Sequence, residues 1–127
     1  MSRAILDTSV FIADEQDRVL GALPDEVAVS VVTLAELELG VLVAADAGAR
    51  SRRLATLTRA RELVSALPVD ERVASAFAGL VAELRQAGRR VSVQDAWIAA
   101  TALAHDAAVC TQDDDFDGLP GVRVVRV

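Results

Sequence analysis

The chain has 127 residues, of which 53% are apolar, 25% are charged and only 3% are aromatic. Its net charge is −6, and all thirteen basic residues are arginine, which excludes chemistry based on a P-loop lysine or a Schiff-base lysine and argues against a broadly basic nucleic-acid surface. One cysteine and one histidine exclude a disulfide framework and any multi-cysteine metal site, and make a histidine-rich zinc site improbable.

The length and the apolar fraction predict a single domain, residues 1–127, with a genuine core. The amino terminus has no apolar stretch of signal-peptide length before Asp7, and the longest apolar run, over residues 96–104, is too short to cross a bilayer. We therefore expect a cytoplasmic protein without membrane association.

Short apolar runs alternate with longer amphipathic ones along the chain. Strands are predicted over residues 4–6 and 27–31, then a helix over about 32–45 that stops near Gly48, and a second helix over 50–65. A short strand over 66–69 follows, where Pro68 favours an edge position. Helices over 70–86 and 93–105 and strands over 108–111 and 122–127 complete the chain. In outline the order is βαβααβαβαβ, which predicts an α/β fold of three layers, α/β/α, with a mostly parallel central sheet.

Four carboxylates fall near the predicted carboxyl ends of strands, where open parallel sheets bind their ligands. Asp7 follows the first strand, Glu36 lies early in the helix after the second, Asp95 lies in the first turn of helix 93–105, and Asp113 follows strand 108–111. Each alone has an ordinary explanation, as a turn acceptor, a residue at a helix N-terminus or a solvated side chain. Four independent structural roles need not share one edge, so their convergence favours a site.

Clustered carboxylates raise one another's pKa, and a divalent cation offsets that cost. Ligands that are all oxygen favour Mg²⁺ or Mn²⁺ over zinc. The chemistry that such a site serves best is metal-assisted hydrolysis of a phosphodiester.

Four segments then show a family resemblance: LDTSVFI at 6–12, SVVTLAEL at 30–37, DAWIAATA at 95–102 and TQDDDF at 111–116. They resemble, in the same order, the four motifs of PIN domains, and more narrowly those of VapC-type ribonuclease toxins from bacterial type II toxin–antitoxin modules. The resemblance extends over nearly the whole chain, and its first and third segments are the most specific.

The resemblance implies a Mg²⁺- or Mn²⁺-dependent endoribonuclease that acts on RNA, is inhibited by a cognate VapB-type antitoxin and forms a homodimer. By position, the acids that match the catalytic set are Asp7, Glu36, Asp95 and Asp113. The implied metal ligands are Asp7, Asp95 and Asp113, with Glu36 and Asp115 as further candidates. Ser9 and Thr111 match small hydroxyl residues that line the pocket in relatives.

Two features leave alternatives open. The neighbouring acids Asp114, Asp115 and Asp117 compete with Asp113 for the fourth position, whereas Glu38 points about 200° away from Glu36 on a helix. Arg89 and Arg90 precede helix 93–105 and are candidates for contacts with RNA phosphates.

Two other functions fit the same acids. A catalytically silent PIN-like module would act through protein contacts alone, but it has no reason to keep four mutually repelling carboxylates. A related metal-dependent nuclease acting on DNA would share the acidic site, and competition between RNA and DNA separates the two. No motif encodes which RNA is cut.

Overall fold

The fold is a parallel sheet with helices on both faces, seen in a computed structural model that describes residues 3–63 and 65–127. Within that range the elements in chain order are β1 (Arg3–Leu6), α1 (Thr8–Glu15), β2 (Glu26–Ser30), α2 (Val31–Leu42), α3 (Ala47–Leu63), β3 (Ser65–Leu67), α4 (Glu71–Gln86), α5 (Val93–Ala104), β4 (Ala108–Thr111) and β5 (Val124–Arg126). The predicted three-layer α/β/α class is confirmed.

The strand order is β3-β2-β1-β4-β5, and every neighbouring pair is parallel. Chain order runs outward from β1 to β2 and β3 on one side, whereas β4 and β5 lie on the other side. The strand order therefore reverses between β1 and β4, where sheets of this kind form a crevice at their carboxyl edge. β3 is an edge strand, as Pro68 predicts.

Alternating side chains of the central strands supply two cores, one on each face of the sheet. Ile5 and Val109 point to the α4–α5 layer and pack with Leu80, Ile98 and Phe116. Ala4, Leu6 and Cys110 point to the opposite layer and pack with Val10, Phe11, Leu37 and Leu57 from α1, α2 and α3. The sheet is thus covered on both faces, as a parallel sheet requires.

The predicted outline βαβααβαβαβ is wrong near the carboxyl terminus, although the helices and strands predicted there one by one follow the observed order. The observed order is βαβααβααββ, since α4 and α5 follow one another and β5 follows β4 without a helix. Gly48 does not stop a helix: α2 ends at Leu42, and Gly48 lies in the first turn of α3. That helix begins before the predicted residue 50 because Asp46 Oδ1 accepts a hydrogen bond from the Ala49 amide at 2.7 Å. Its predicted end also differs, since Ser65 belongs to β3, while Val64 lies outside the described residues.

Among the described helices, none combines the length and the apolar character that a membrane crossing requires.

The end of α4 is a Schellman motif, which fixes the start of the loop before α5. The Arg89 amide donates to Leu84 O at 2.8 Å, and the Gly88 amide donates to Arg85 O at 3.1 Å. Gly88 has φ +68°, a conformation that costs a residue with a Cβ about 1 kcal/mol or more.

We expect Gly88→Ala to lower the free energy of unfolding by about 1 kcal/mol, because alanine is strained at this φ. Gly79→Ala is the matched control on the same helix: it is exposed, a Cβ there meets no atom within 4 Å, and alanine should stabilise the helix by about 0.8 kcal/mol. Urea unfolding of the two variants measures both effects. Equal stability of the Gly88 variant and the parent would show that the turn imposes no strain.

Candidate functional site

The site is built at the carboxyl edge of the sheet, around Asp7. This residue follows β1 directly, and its amide donates to Cys110 O at 2.9 Å, which extends the β1–β4 pairing by one residue. Asp7 is also the residue that precedes the first turn of α1, and it is only 4% exposed. The strand-to-helix junction therefore forces a carboxylate into the crevice between β1 and β4.

Two hydroxyl groups hold one oxygen of the Asp7 carboxylate. Ser9 Oγ donates to Oδ2 at 2.8 Å, and Thr111 Oγ1 donates to the same atom at 3.0 Å. Each hydroxyl in turn accepts a backbone N–H at 3.0 Å, from Gln112 and Asp113 respectively. A hydroxyl has one proton, so with both protons given to Oδ2 the 3.1 Å contact between the two hydroxyl oxygens carries none.

This proton arrangement makes the two oxygens of Asp7 unequal. Among residues 3–63 and 65–127, the side-chain hydrogen bonds to Asp7 all end on Oδ2. Within the same residues Oδ1 accepts no side-chain hydrogen bond, so it can still bind a cation. The predicted pocket residues Ser9 and Thr111 thus contact the first acid directly, and they orient it.

Glu36 enters the site from α2. Its Oε1 accepts a hydrogen bond from Thr8 Oγ1 at 2.8 Å, which joins the start of α1 to α2. Burial raises the pKa of Glu36, the Thr8 hydrogen bond lowers it, and the charge of Asp7 raises it again, with a net upward shift. Glu38 faces elsewhere, since it pairs with Arg61 of α3 at 3.2 Å.

Asp95 lies in the first turn of α5, where Ser92 caps the helix by accepting the Asp95 amide at 3.1 Å. The pKa of Asp95 is raised from 3.8 to about 6, and burial is the largest cause. Hydrogen bonding to Ser92 lowers it, and the charges of Asp7, Asp115 and Glu36 add to the upward shift. The carboxylate is therefore within electrostatic reach of three other acids.

Asp113 is more exposed than the other three acids and follows β4. Burial, and then the charges of Asp7, Asp115 and Asp114, raise its pKa, while Arg18 lowers it. Arg18, from the segment after α1, is thus a positive group near these carboxylates. We call the edge of the sheet that carries them the acidic edge; its residues are Asp7, Glu36, Asp95, Asp113 and Asp115. The charge of Asp7 acts on Glu36, Asp95 and Asp113, so the four predicted acids face the same edge within electrostatic reach of Asp7. The charge of Asp115 acts on both Asp95 and Asp113.

The donor set fits a hard divalent cation in its chemistry. The five acids offer only oxygen atoms, and the pKa values of Glu36, Asp95 and Asp113 are raised first by burial and then by neighbouring negative charge. As the side chains stand, no group of three or more acids, histidines or cysteines within the described residues is placed so that it could hold a metal ion. The fit therefore lies in the donor type and the electrostatics.

Cys110 lies beneath Asp7 and is fully buried. Burial and then the negative charge of Asp7 raise the pKa of its thiol to about 11. The thiol stays protonated at neutral pH and serves as a small core residue, so it is neither a nucleophile nor a metal ligand.

The arginines divide into paired and unpaired sets. On α3, Arg59 pairs with Asp14 at 3.4 Å, Arg61 pairs with Glu38, and Arg53 donates to Gly40 O at 2.7 Å. Most of the arginines on α3 therefore contact α1 or α2. Arg89 and Arg90 are exposed in the loop before α5, and Arg89 Nη1 donates to Gly118 O at 2.7 Å.

Sequence reasoning missed Thr8, Ser92 and Arg18. Ser92 had a readable signal, because Ser-x-x-Asp before an apolar run is a capping pattern. Thr8 stands beside the predicted acid, but its contact with Glu36 spans 28 positions and depends on how α1 and α2 pack. Nothing in the sequence singles out Arg18.

Comparison with known proteins identifies the family of this fold. The PIN-domain family model matches residues 4–122. A relative named ribonuclease VapC5, from Mycobacterium tuberculosis, is 49% identical over 97% of this chain and 94% of its own length. Ribonuclease VapC4 of the same organism is 48% identical over 98% of this chain and 97% of its length. The crystal structure of VapBC-5, a member of the VapBC family of toxin–antitoxin systems from that organism, matches with a TM-score of 0.89 and 47% identity over 100% of both chains.

We expect Asp95→Asn to raise the free energy of unfolding by roughly 1 kcal/mol at pH 8 without divalent cations, a figure reduced for the partial exposure of the carboxylate. Because its pKa is raised from 3.8 to about 6, the charged form destabilises the folded state above pH 6. That cost fades as the pH falls through this interval and is absent below 3.8, where the group is protonated in both states.

The measurement is urea unfolding at pH 8 and at pH 4. Asp25→Asn is the control, since Asp25 is exposed and lies outside the acidic edge. A stability gain that is equal at both pH values would contradict the electrostatic explanation.

Proposed function

The chain belongs to the PIN-domain family, and from this membership we propose that it is a metal-dependent endoribonuclease toxin of the VapC type, inhibited by a VapB-type antitoxin. The relatives named ribonuclease VapC, at 48–49% identity over nearly the whole chain, support this assignment. The observation that carries it is the acidic edge, where Asp7 is fixed by two hydroxyls among carboxylates with raised pKa values.

The catalytic set that we propose is Asp7, Glu36, Asp95 and Asp113, with Mg²⁺ or Mn²⁺ as the cofactor. Asp7, Asp95 and Asp113 are the proposed ligands, and Glu36 and Asp115 add negative charge or further oxygen donors. A bound divalent cation supplies Lewis-acid stabilisation of phosphodiester charge and makes water more acidic. No histidine is needed as a general base, and His105 lies at the far end of α5.

The protein's own groups do three things in this reaction. The hydroxyls of Ser9 and Thr111 fix the orientation of Asp7, so the carboxylate does not have to reorganise when a cation binds. The Thr8 hydroxyl holds Glu36 in the same way. The carboxylates repel a phosphate group until a cation is present, which makes substrate binding depend on the metal. Hydrolysis of the P–O3′ bond leaves a 5′-phosphate and a 3′-hydroxyl.

The proposed partners follow from the same chemistry. An arginine of a VapB-type antitoxin would pair with the clustered carboxylates, since a guanidinium binds carboxylates bidentately. RNA is the proposed substrate, and a cytoplasmic location places the enzyme with it. We further propose that residues 1–127 form one PIN domain, which the family match over 4–122 supports, and that the toxin forms homodimers.

We expect Asp7→Asn to reduce cleavage of single-stranded RNA by a factor on the order of 10²–10³, because it removes the buried charge at the centre of the acidic edge. Excess EDTA should stop the parent protein equally, and added Mg²⁺ or Mn²⁺ should restore it. The measurement is the rate of cleavage of a labelled oligoribonucleotide.

The matched control is Asp25→Asn, which removes an exposed carboxylate away from the site and should cleave at the parent's rate. Cleavage by Asp7→Asn at the parent's rate, or by the parent in excess EDTA, would contradict the proposed mechanism. A parallel assay on single-stranded DNA separates an RNA enzyme from a DNA nuclease.

A further inference from the structure

A cleft of about 670 Å³ lies between α4, the loop that follows it and the first turn of α5. Its apolar lining comes from Phe77, Val81, Leu84, Val93 and Ala96. Phe77 is partly buried and stacks on Trp97 with ring centroids 3.8 Å apart, so this part of the lining is rigid. The volume lies in the range of pockets that hold a small organic group.

Three arginines line the same cleft: Arg85, Arg89 and Arg90. All three are exposed, whereas Leu84 and Ala96 of the apolar lining are buried and Phe77 and Val81 are partly buried. In the part of the chain that the structure describes, Arg85 and Arg90 form none of the observed ion pairs, which use other arginines. The cleft therefore combines an apolar floor with uncompensated positive charge, in a protein whose net charge is −6.

Two links join this cleft to the acidic edge. Ala96 lines the cleft, and its chain neighbour Asp95 is one of the clustered acids. Arg89 donates to Gly118 O at 2.7 Å, and Gly118 belongs to the loop that carries Asp113. Both links place the cleft beside the acidic edge.

Resting on the proposed function, we propose that this cleft binds the nucleotide adjacent to the phosphodiester that is cut, in a single-stranded RNA. The apolar floor accepts a face of the base or the ribose, and the guanidinium groups of Arg85 and Arg90 contact the backbone phosphates. The arginines add attraction for the phosphates beside the acids, which repel the polyanion until a cation is bound.

A second copy of this chain is the competing occupant. A two-fold dimer centred on the cleft would bring the same arginines of both copies together, and like charges oppose that contact. A polyanion meets no such repulsion, so the observations favour RNA.

The test is steady-state cleavage of a labelled oligoribonucleotide by Arg85→Ala, Arg90→Ala and the parent, over a range of salt concentrations. Each variant should raise KM about threefold to tenfold and leave kcat unchanged, because it removes a phosphate contact and no group at the acids. The slope of log(kcat/KM) against log[salt] should become shallower by about 0.7 for each lost contact with a single strand. Arg90→Lys, which keeps a positive charge, should retain most of the slope.

Arg50→Ala is the control, because Arg50 is an exposed arginine on α3, away from the cleft. Cleavage by the parent with unchanged KM and slope in both cleft variants would overturn this inference and leave the proposed function intact. A parent that cleaves no RNA in Mg²⁺ or Mn²⁺ would overturn both. Weakened self-association of the cleft variants in sedimentation equilibrium, with unchanged KM, would assign the cleft to a second copy instead.

Discussion

The repulsion among carboxylates gathered at one edge of the sheet is the constraint on which the rest of the site depends. Parallel pairing brings all strand ends to that edge, and the helices that follow β1 and β2 begin there. Asp7 immediately precedes α1 and Asp95 lies in the first turn of α5, so the positive end of each helix dipole lowers the cost of the adjacent charge. The pKa values of Glu36, Asp95 and Asp113 are nevertheless raised, first by burial and then by the charge of Asp7 and its neighbours.

The groups that contact these carboxylates are mostly neutral hydrogen-bond donors and not positively charged side chains. The Thr8 hydroxyl donates to Glu36, and the hydroxyls of Ser9 and Thr111 donate to Asp7. Backbone amides donate in turn to the hydroxyls of Ser9 and Thr111. Arg18 is a formal positive charge that acts on Asp113, from an exposed position. Neutral donors orient a carboxylate without cancelling its charge, so the acids keep their attraction for a divalent cation.

Much of this could be predicted from the sequence because the site follows strand ends. Asp7 comes directly after β1 and Asp113 comes two residues after β4, and the helical repeat separates Glu36 from Glu38. The hydrogen bond from Thr8 to Glu36 could not be predicted, since it depends on the packing of two helices. The last four elements were predicted one by one in their observed order, because periodicity distinguishes a helix from a strand. Only the outline that alternated them was wrong, since parallel strands are usually joined by a crossover helix and β4 and β5 are not. The prediction that a helix stops near Gly48 was wrong for a local reason: the Asp46 side chain caps α3, and Gly48 lies in the first turn of that helix.

The hydrogen bond from Arg89 to Gly118 joins two surfaces that differ in chemistry: the arginine-lined cleft and the loop after β4 that carries Asp113. The Schellman motif at the end of α4 fixes the Arg89 backbone, from which the side chain reaches Gly118 O. A ligand that shifts Arg89 must also act on the acidic loop. Thermodynamic linkage then requires reciprocity: whatever factor a cation at the acids imposes on affinity in the cleft, a ligand in the cleft imposes on affinity for the cation.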